Sequence, residues 1–152
     1  MAVELLAPGL LADDVIRLAL RETTQGEAEN DEVPAYRFAV LLVASGECVG
    51  GISLRVGCNS TILQLRGQVG FTVYPQHRGN GFARRACALL LPFARRHALR
   101  ELWITCDPEN AASRRTLEAL GAELMDVVEV PSDTRFYAEG SRQKCRYRLE
   151  LA

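Results

Sequence analysis

A β-rich run, Val69 to Pro75, leads directly into Gln76-His77-Arg78-Gly79-Asn80-Gly81-Phe82-Ala83, and then into a segment with helical spacing. The change from an alternating to a 3.6-residue period across so short a turn places a strand and a helix end to end. Gly79 and Gly81 let the backbone take positive φ and approach a neighbour closely. The first amides of the following helix have no partner within it, and the helix dipole there favours negative charge. Such a turn suits a phosphate, although the same residues also read as a tight turn without a ligand. The helix expected over 83–97 carries Phe82, Ala86, Leu89, Leu90 and Phe93 on one face, with a kink or break at Pro92.

The chain before the turn reads as an antiparallel meander. Residues 2–6 suggest a short strand, and Leu10 to Arg21 an amphipathic helix with Asp13 and Asp14 at its start and Arg17 and Arg21 at its end. Glu22 to Glu32 is polar and acidic; it reads as a solvated loop, or as a mobile lid that would attract a cationic acceptor. Tyr36–Ala44 and Cys48–Val56 form a hairpin across Ser45-Gly46-Glu47, with Gly50-Gly51 marking a bulge or a close approach. Thr61 to Leu65 continues the meander into the strand Gln68–Val73.

After the turn the order becomes helix, strand, helix, strand, loop, strand. Glu101–Cys106 is the strand after the crossover, expected to run parallel to the strand before the turn. Asp107 is the expected N-cap of a helix that starts with Pro108, points Ala112, Leu117 and Leu120 inward and stops at Gly121. Ala122–Val130 is a strand, Ser132–Gly140 a loop holding Tyr137, and Lys144–Leu151 a last strand whose free edge could pair with a second copy to give a homodimer. In mixed sheets ligands gather at the carboxyl ends of parallel strands, and the glycine turn lies at such an end.

At 152 residues, with 48% hydrophobic and 24% charged residues, the chain is read as one domain spanning 1–152. A net charge of −1 points away from nucleic acid and from membrane surfaces as partners. Five cysteines in odd number, with no CxxC pair, give no zinc or redox-dithiol pattern, so no metal is expected. The natural reading is reduced, mostly buried thiols in a cytoplasmic protein.

The turn pattern Gln76-x-x-Gly79-x-Gly81, followed by Asn110-x-x-Ser113, Leu117 and Gly121, resembles the GNAT superfamily, the Gcn5-related N-acetyltransferases. Val73-Tyr74-Pro75 and Cys106-Asp107-Pro108-Glu109-Asn110 are similar to the family as well. The resemblance implies an α/β fold of α+β type: a mixed, mostly antiparallel central sheet of about seven strands flanked by about four helices. It implies that acetyl-CoA is the acyl donor and that a primary amine (small molecule, peptide N-terminus or lysine) is the acceptor. The backbone of His77, Arg78, Gly79, Asn80, Gly81, Phe82 and Ala83 would hold the pyrophosphate. Phe71, Thr72 and Val73 would pair with the pantetheine arm and face the oxyanion. Asn110 would bond that arm, with helix capping as its other reading, and Ser113 would lie near the phosphates. Arg84, Arg85 and Arg114 are candidates for the 3′-phosphate.

The chain departs from the family at the proton-moving positions. Gln68 stands where many members have a carboxylate, and Leu117 where many have a tyrosine. Tyr137 or Tyr74 could replace the acid, and Glu32 or Glu139 the base. Proximity and orientation alone can supply ~7–11 kcal/mol. A coenzyme A-binding sensor or partner domain without turnover is therefore a second reading, and transfer of a longer acyl chain past Gly50-Gly51 a third.

Overall fold

The computed structural model describes residues 4–151. The strand expected at residues 2–6 falls partly outside them; Glu4, Leu5 and Leu6 are described and belong to no strand. Strands β1 (Leu11–Ala12), β2 (Ile16–Thr24), β3 (Ala35–Leu42), β4 (Cys48–Arg55) and β5 (Val69–Val73) form one antiparallel sheet in sequential order. Helix α1 (Phe82–Arg95) leads to β6 (Glu101–Cys106), α2 (Ala111–Ala119), β7 (Glu123–Glu129), the short α3 (Arg135–Ala138) and β8 (Gln143–Glu150). The last three strands make a second antiparallel sheet, ordered β6-β8-β7. This is the expected mixed α+β class, with the strands divided between two sheets instead of one.

The helix expected at Leu10–Arg21 is instead the β1–β2 hairpin. Asp13 decides it: its Oδ1 accepts the amides of Val15 (2.7 Å) and Ile16 (2.8 Å), closing a turn that reverses the chain. Ile16 and Leu18 are then buried and Arg17 exposed, a period of two. Thr61–Leu65 is not extended but enters a π-helical turn, Ile62–Arg66. Asn59 Oδ1 accepts the Ile62 amide at 2.8 Å, and Ile62 and Leu65 are both buried by that turn. Helix α1 runs through Pro92 without a break. Pro92 and Ala88 are exposed, so the carbonyl that loses its helical donor faces water.

One face of the larger sheet packs on α1. Tyr36, Phe38 and Phe93 meet edge to face or stacked, and the Tyr36 hydroxyl lies 2.9 Å from His97 Nε2 and 2.9 Å from Leu6 O. Leu102, Ile104, Tyr147 and Leu149 of the smaller sheet and Leu117 of α2 complete the same core. The last strand, β8, is the centre of its sheet, so it offers no free edge. The edges are β6, which faces β5, and β7, nearly all of whose residues are exposed.

The two sheets meet at one point. The Gln68 amide donates to Trp103 O at 2.7 Å, and the Trp103 amide donates to Gln68 Oε1 at 2.8 Å. Gly67 makes room for this joint: a Cβ there would lie 2.9 Å from Thr105 N and 3.2 Å from Ile104 Cα. No parallel ladder joins β5 to β6 among the described residues, so the expected parallel pairing is replaced by a gap. Gln68 is buried at 4% exposure. Gln68→Leu keeps the bulk but leaves the Trp103 amide unpaired. It is expected to lower stability by about 1–3 kcal/mol, read from the urea midpoint.

Candidate functional site

The gap widens from the joint towards the carboxyl end of β5. The Arg55 amide donates to Gln68 O and the Tyr74 amide to Val49 O, so residues 68, 70, 72 and 74 are the ones that turn towards β4. Phe71 and Val73 therefore turn their N–H and C=O away from β4, into the gap. Val73 O accepts Arg78 Nε at 3.0 Å. Close packing to β4 holds the strand in place. A Cβ on Gly50 would run into Thr72 O, which is why this position is glycine.

The chain then passes a short 3-10 turn, Pro75–His77, and enters α1 through Gly79 (φ +85°) and Gly81 (φ +75°). Gly81 is the N-cap residue, no side chain caps the helix, and its first turn holds no acid. The amides there have no side-chain acceptor, so the positive end of the dipole is open. Cβ atoms on Gly79 or Gly81 would point into empty space. Asn80 Nδ2 donates to His77 O at 3.0 Å, and His77 Nε2 lies 2.9 Å from Glu47 Oε2, fixing the turn at both ends.

Facing this turn across the gap is α2. Asn110 caps it, accepting the Ser113 amide at 3.1 Å, so the expected cap at Asp107 is displaced by three residues. Asp107 Oδ1 instead binds Lys144 Nζ and Ser141 Oγ, each at 2.7 Å, and ties the start of α2 to β8. Ala112, expected inward, is exposed, while Leu117 is fully buried.

These elements enclose a cleft of about 750 Å³. All twelve residues expected to contact the donor line it: Phe71, Thr72, Val73, His77, Arg78, Gly79, Asn80, Gly81, Phe82, Ala83, Asn110 and Ser113. Arg84 lines it too, but Arg85 pairs with Asp13 (3.0 Å) and Asp14 (3.4 Å), and Arg114 Nε donates to Tyr147 Oη at 3.1 Å. The cation on α2 that reaches the cleft is Arg115, which sequence reasoning missed. Its signal was the spacing of Ala112, Arg115, Thr116 and Ala119, one helical face beside the inward Leu117. Tyr137 is not brought to the cleft: it lies in α3 with the Arg142 guanidinium 3.6 Å over its ring. Tyr74 is exposed and directly follows cleft-lining Val73, with its hydroxyl 3.9 Å from Cys48 Sγ. Burial pushes the Cys87 thiol up to about 12 and that of Cys106 to about 11, so neither is a thiolate at neutral pH.

The family model of the acetyltransferase (GNAT) domain matches residues 8–123. The chain belongs to the GNAT acetyltransferases. No curated protein matches it. Among solved structures, a Vibrio cholerae protein assigned as a ribosomal-protein-serine acetyltransferase is 20% identical. It superposes with a TM-score of 0.67 over 95% of this chain and 99% of its own. RimJ of Mycobacterium smegmatis, in complex with CoA-disulfide, is 22% identical, with a TM-score of 0.59 over 76% of this chain and 53% of its own. The yncA protein of Salmonella typhimurium, with acetyl-CoA, is 20% identical, with a TM-score of 0.58 over 78% of this chain and 65% of its own. The chain thus spans less than two thirds of the latter two. No helix among the described residues is long and apolar enough to cross a membrane.

The Asp107 contacts give the fold a pH dependence. Burial works to raise the Asp107 carboxyl, but hydrogen bonds from Lys144 and Ser141 and the Lys144 charge outweigh it and hold it below its ordinary value. A carboxyl lowered on folding stabilises the fold above its unfolded value, near 4, and loses that contribution as pH falls through the folded value. Asp107→Asn is expected to cost about 1 kcal/mol at neutral pH. The difference from the parent should shrink below about pH 4 in paired urea titrations.

Proposed function

We propose that the protein is an acetyl-CoA-dependent N-acetyltransferase that moves the acetyl group directly to a primary amine. The observation that carries this reading is the cleft in which an uncapped α1 N-terminus faces a strand with unpaired backbone groups. Membership of the GNAT family and the coenzyme A and acetyl-CoA complexes of RimJ and yncA support it. When bound, acetyl-CoA supplies an activated acyl carbon. The amides of residues 79–83 would hold its pyrophosphate, with Arg78, Arg84 and Arg115 as counter-charges. Asn110 keeps its Nδ2 free for the pantetheine arm while its Oδ1 caps α2. An amide of β5 that faces the gap, at Phe71 or Val73, would donate to the oxyanion. In the transfer the neutral amine forms the C–N bond, the C–S bond breaks, and the proton lost by the amine ends on the departing thiolate.

A second reading, a coenzyme A-binding domain without turnover, is favoured by one observation. Gln68 is buried and engaged with Trp103, and Leu117 is buried, so neither position carries a proton-moving group.

Release of free thiol from acetyl-CoA, followed across a panel of amines, separates the two. Turnover with an amine supports the transferase, whereas tight coenzyme A binding with no thiol release for any amine rejects it. Gly79→Asp places a charge and a side chain at positive φ in the cleft. It is expected to weaken coenzyme A binding by at least about a hundredfold, ~2.7 kcal/mol by calorimetry. Unchanged affinity would remove the turn from the donor site.

A further inference from the structure

The larger sheet has a second face, away from α1. On it Arg37, Ser53 and Gly70 lie in one cross-strand row, and Ala39, Gly51 and Thr72 lie in the next. The rows are two residues apart, about 7 Å along the strands. Apart from Arg37 and Thr72, these side chains are small, so the face forms a shallow trough. At one end is Thr72, which also lines the donor cleft. At the other end is a pocket of about 30 Å³ lined by Arg37, Ser53, Arg55, Arg66 and Glu32, among others. That volume holds one small polar group.

The Arg55 guanidinium lies over β5: a Cβ on Gly70 would be 3.6 Å from its Nη1 and 3.8 Å from its Nη2. Gly70 adjoins cleft-lining Phe71, so the arginine head and the donor cleft meet across a single strand. Among the described residues, the Arg55 side chain makes one hydrogen bond, to Gly67 O at 3.1 Å. None of Arg37, Arg55, Arg66 and Arg135 has a carboxylate within ion-pair distance among the described residues. Burial pushes Arg55 down to about 10, and the charges of Arg66, Arg37 and Arg135 push the same way. Glu32 and Glu139 offset part of this at Arg66. The cluster is cationic, partly desolvated and under-neutralised, which disfavours it unless an anion fills the pocket.

The acidic stretch 22–32 uses part of its acceptor capacity within the loop and on Thr61. Glu32 Oε1 accepts the Glu27 amide, Glu27 Oε2 accepts Asn30 Nδ2, and Asp31 Oδ2 accepts Thr61 Oγ1. Three of its carboxylates are thus engaged in holding the loop.

We propose that the Arg37–Arg55–Arg66 pocket binds a carboxylate of the acceptor, so that the acceptor is an amine bearing a carboxylate, such as an amino acid or an acidic peptide. This rests on the acetyl-transfer reading only for the amine; the anion subsite stands on its own geometry. The guanidinium forks match a carboxylate in shape as well as charge.

The test uses free amino acids and short acidic peptides, each beside its amidated counterpart. Thiol release is measured with acetyl-CoA, and binding of the N-acetylated forms is measured by thermal shift with coenzyme A present. Carboxylate members are expected to exceed their amides at least tenfold in kcat/KM, and to raise the melting temperature where the amides do not. Arg37→Gln and Arg66→Gln, at exposed and half-buried positions, should each erase that preference while leaving the KM for acetyl-CoA unchanged. Amides that match or exceed the carboxylates throughout the panel would overturn the proposal. So would a preference that survives both substitutions, or the absence of binding by any carboxylate member. Carboxylate-dependent binding without turnover would reject the transferase reading and leave the anion subsite standing.

Discussion

The contact on which the rest of the structure depends is the joint between Gln68 and Trp103. Two sheets that share a core would ordinarily run together, because an unpaired backbone group inside a protein is costly. Here the backbones touch once, where Gly67 has no Cβ to separate them from Ile104 and Thr105. The Gln68 side chain completes the contact by taking the Trp103 amide, a role a carboxylate would fill only by burying a charge. Past that point the strands diverge, and the odd-numbered residues of β5 face a cleft wide enough for water or ligand. Gln68, at the position where many family members have a carboxylate, thus holds the sheets together at one end, which lets them stand apart at the other.

The two helices that line the cleft differ at their N-termini, and the difference bears on the roles proposed for them. At α2, Asn110 Oδ1 occupies the Ser113 amide, so part of the local positive field is already satisfied. At α1, Gly81 supplies no oxygen and the first turn contains no acid. The α1 terminus is therefore the stronger site for a diphosphate, and α2 is better suited to a neutral arm, contributing Arg115 one turn further on. Asp107, by gripping Lys144 and Ser141, fixes the height of α2 against the smaller sheet and so the width of the cleft.

The cleft proposed for the donor was legible in the sequence because the features that build it are local. The turn, the helix start and Asn110-x-x-Ser113 act through backbone positions that follow from spacing, and all twelve expected residues line one cleft. What could not be read depends on partners distant in the chain. The hairpin at Asp13 was masked by a hydrophobic pattern that fits a helix as well as two strands, and two side-chain hydrogen bonds settle it. Which arginines reach the cleft depends on competitors elsewhere: Asp13 draws Arg85 away and Tyr147 draws Arg114 away. Tyr137 fits an acid by residue type but lies under Arg142 in α3. Gln68 looked like a missing functional group, and its partner Trp103 lies thirty-five residues along the chain.

Charge is distributed differently on the two sides of β5. On the cleft side, backbone amides carry the field, and they tolerate a ligand that comes and goes because they are also content with water. On the trough side, Arg55, Arg66 and Arg37 repel one another, and burial adds to the strain on Arg55. Replacing a long side chain with a small one would remove that repulsion at little cost to packing if the arginines served only the fold, since their heads surround a pocket and fill no core. The acidic loop beside them is tied by hydrogen bonds within itself and to Thr61, and Glu32 and Glu139 offset only part of the charge, at Arg66. An amine held near Thr72 with its carboxylate two rows away would neutralise the arginines at the same moment as it met the acyl carbon. Specificity and orientation would then follow from one interaction.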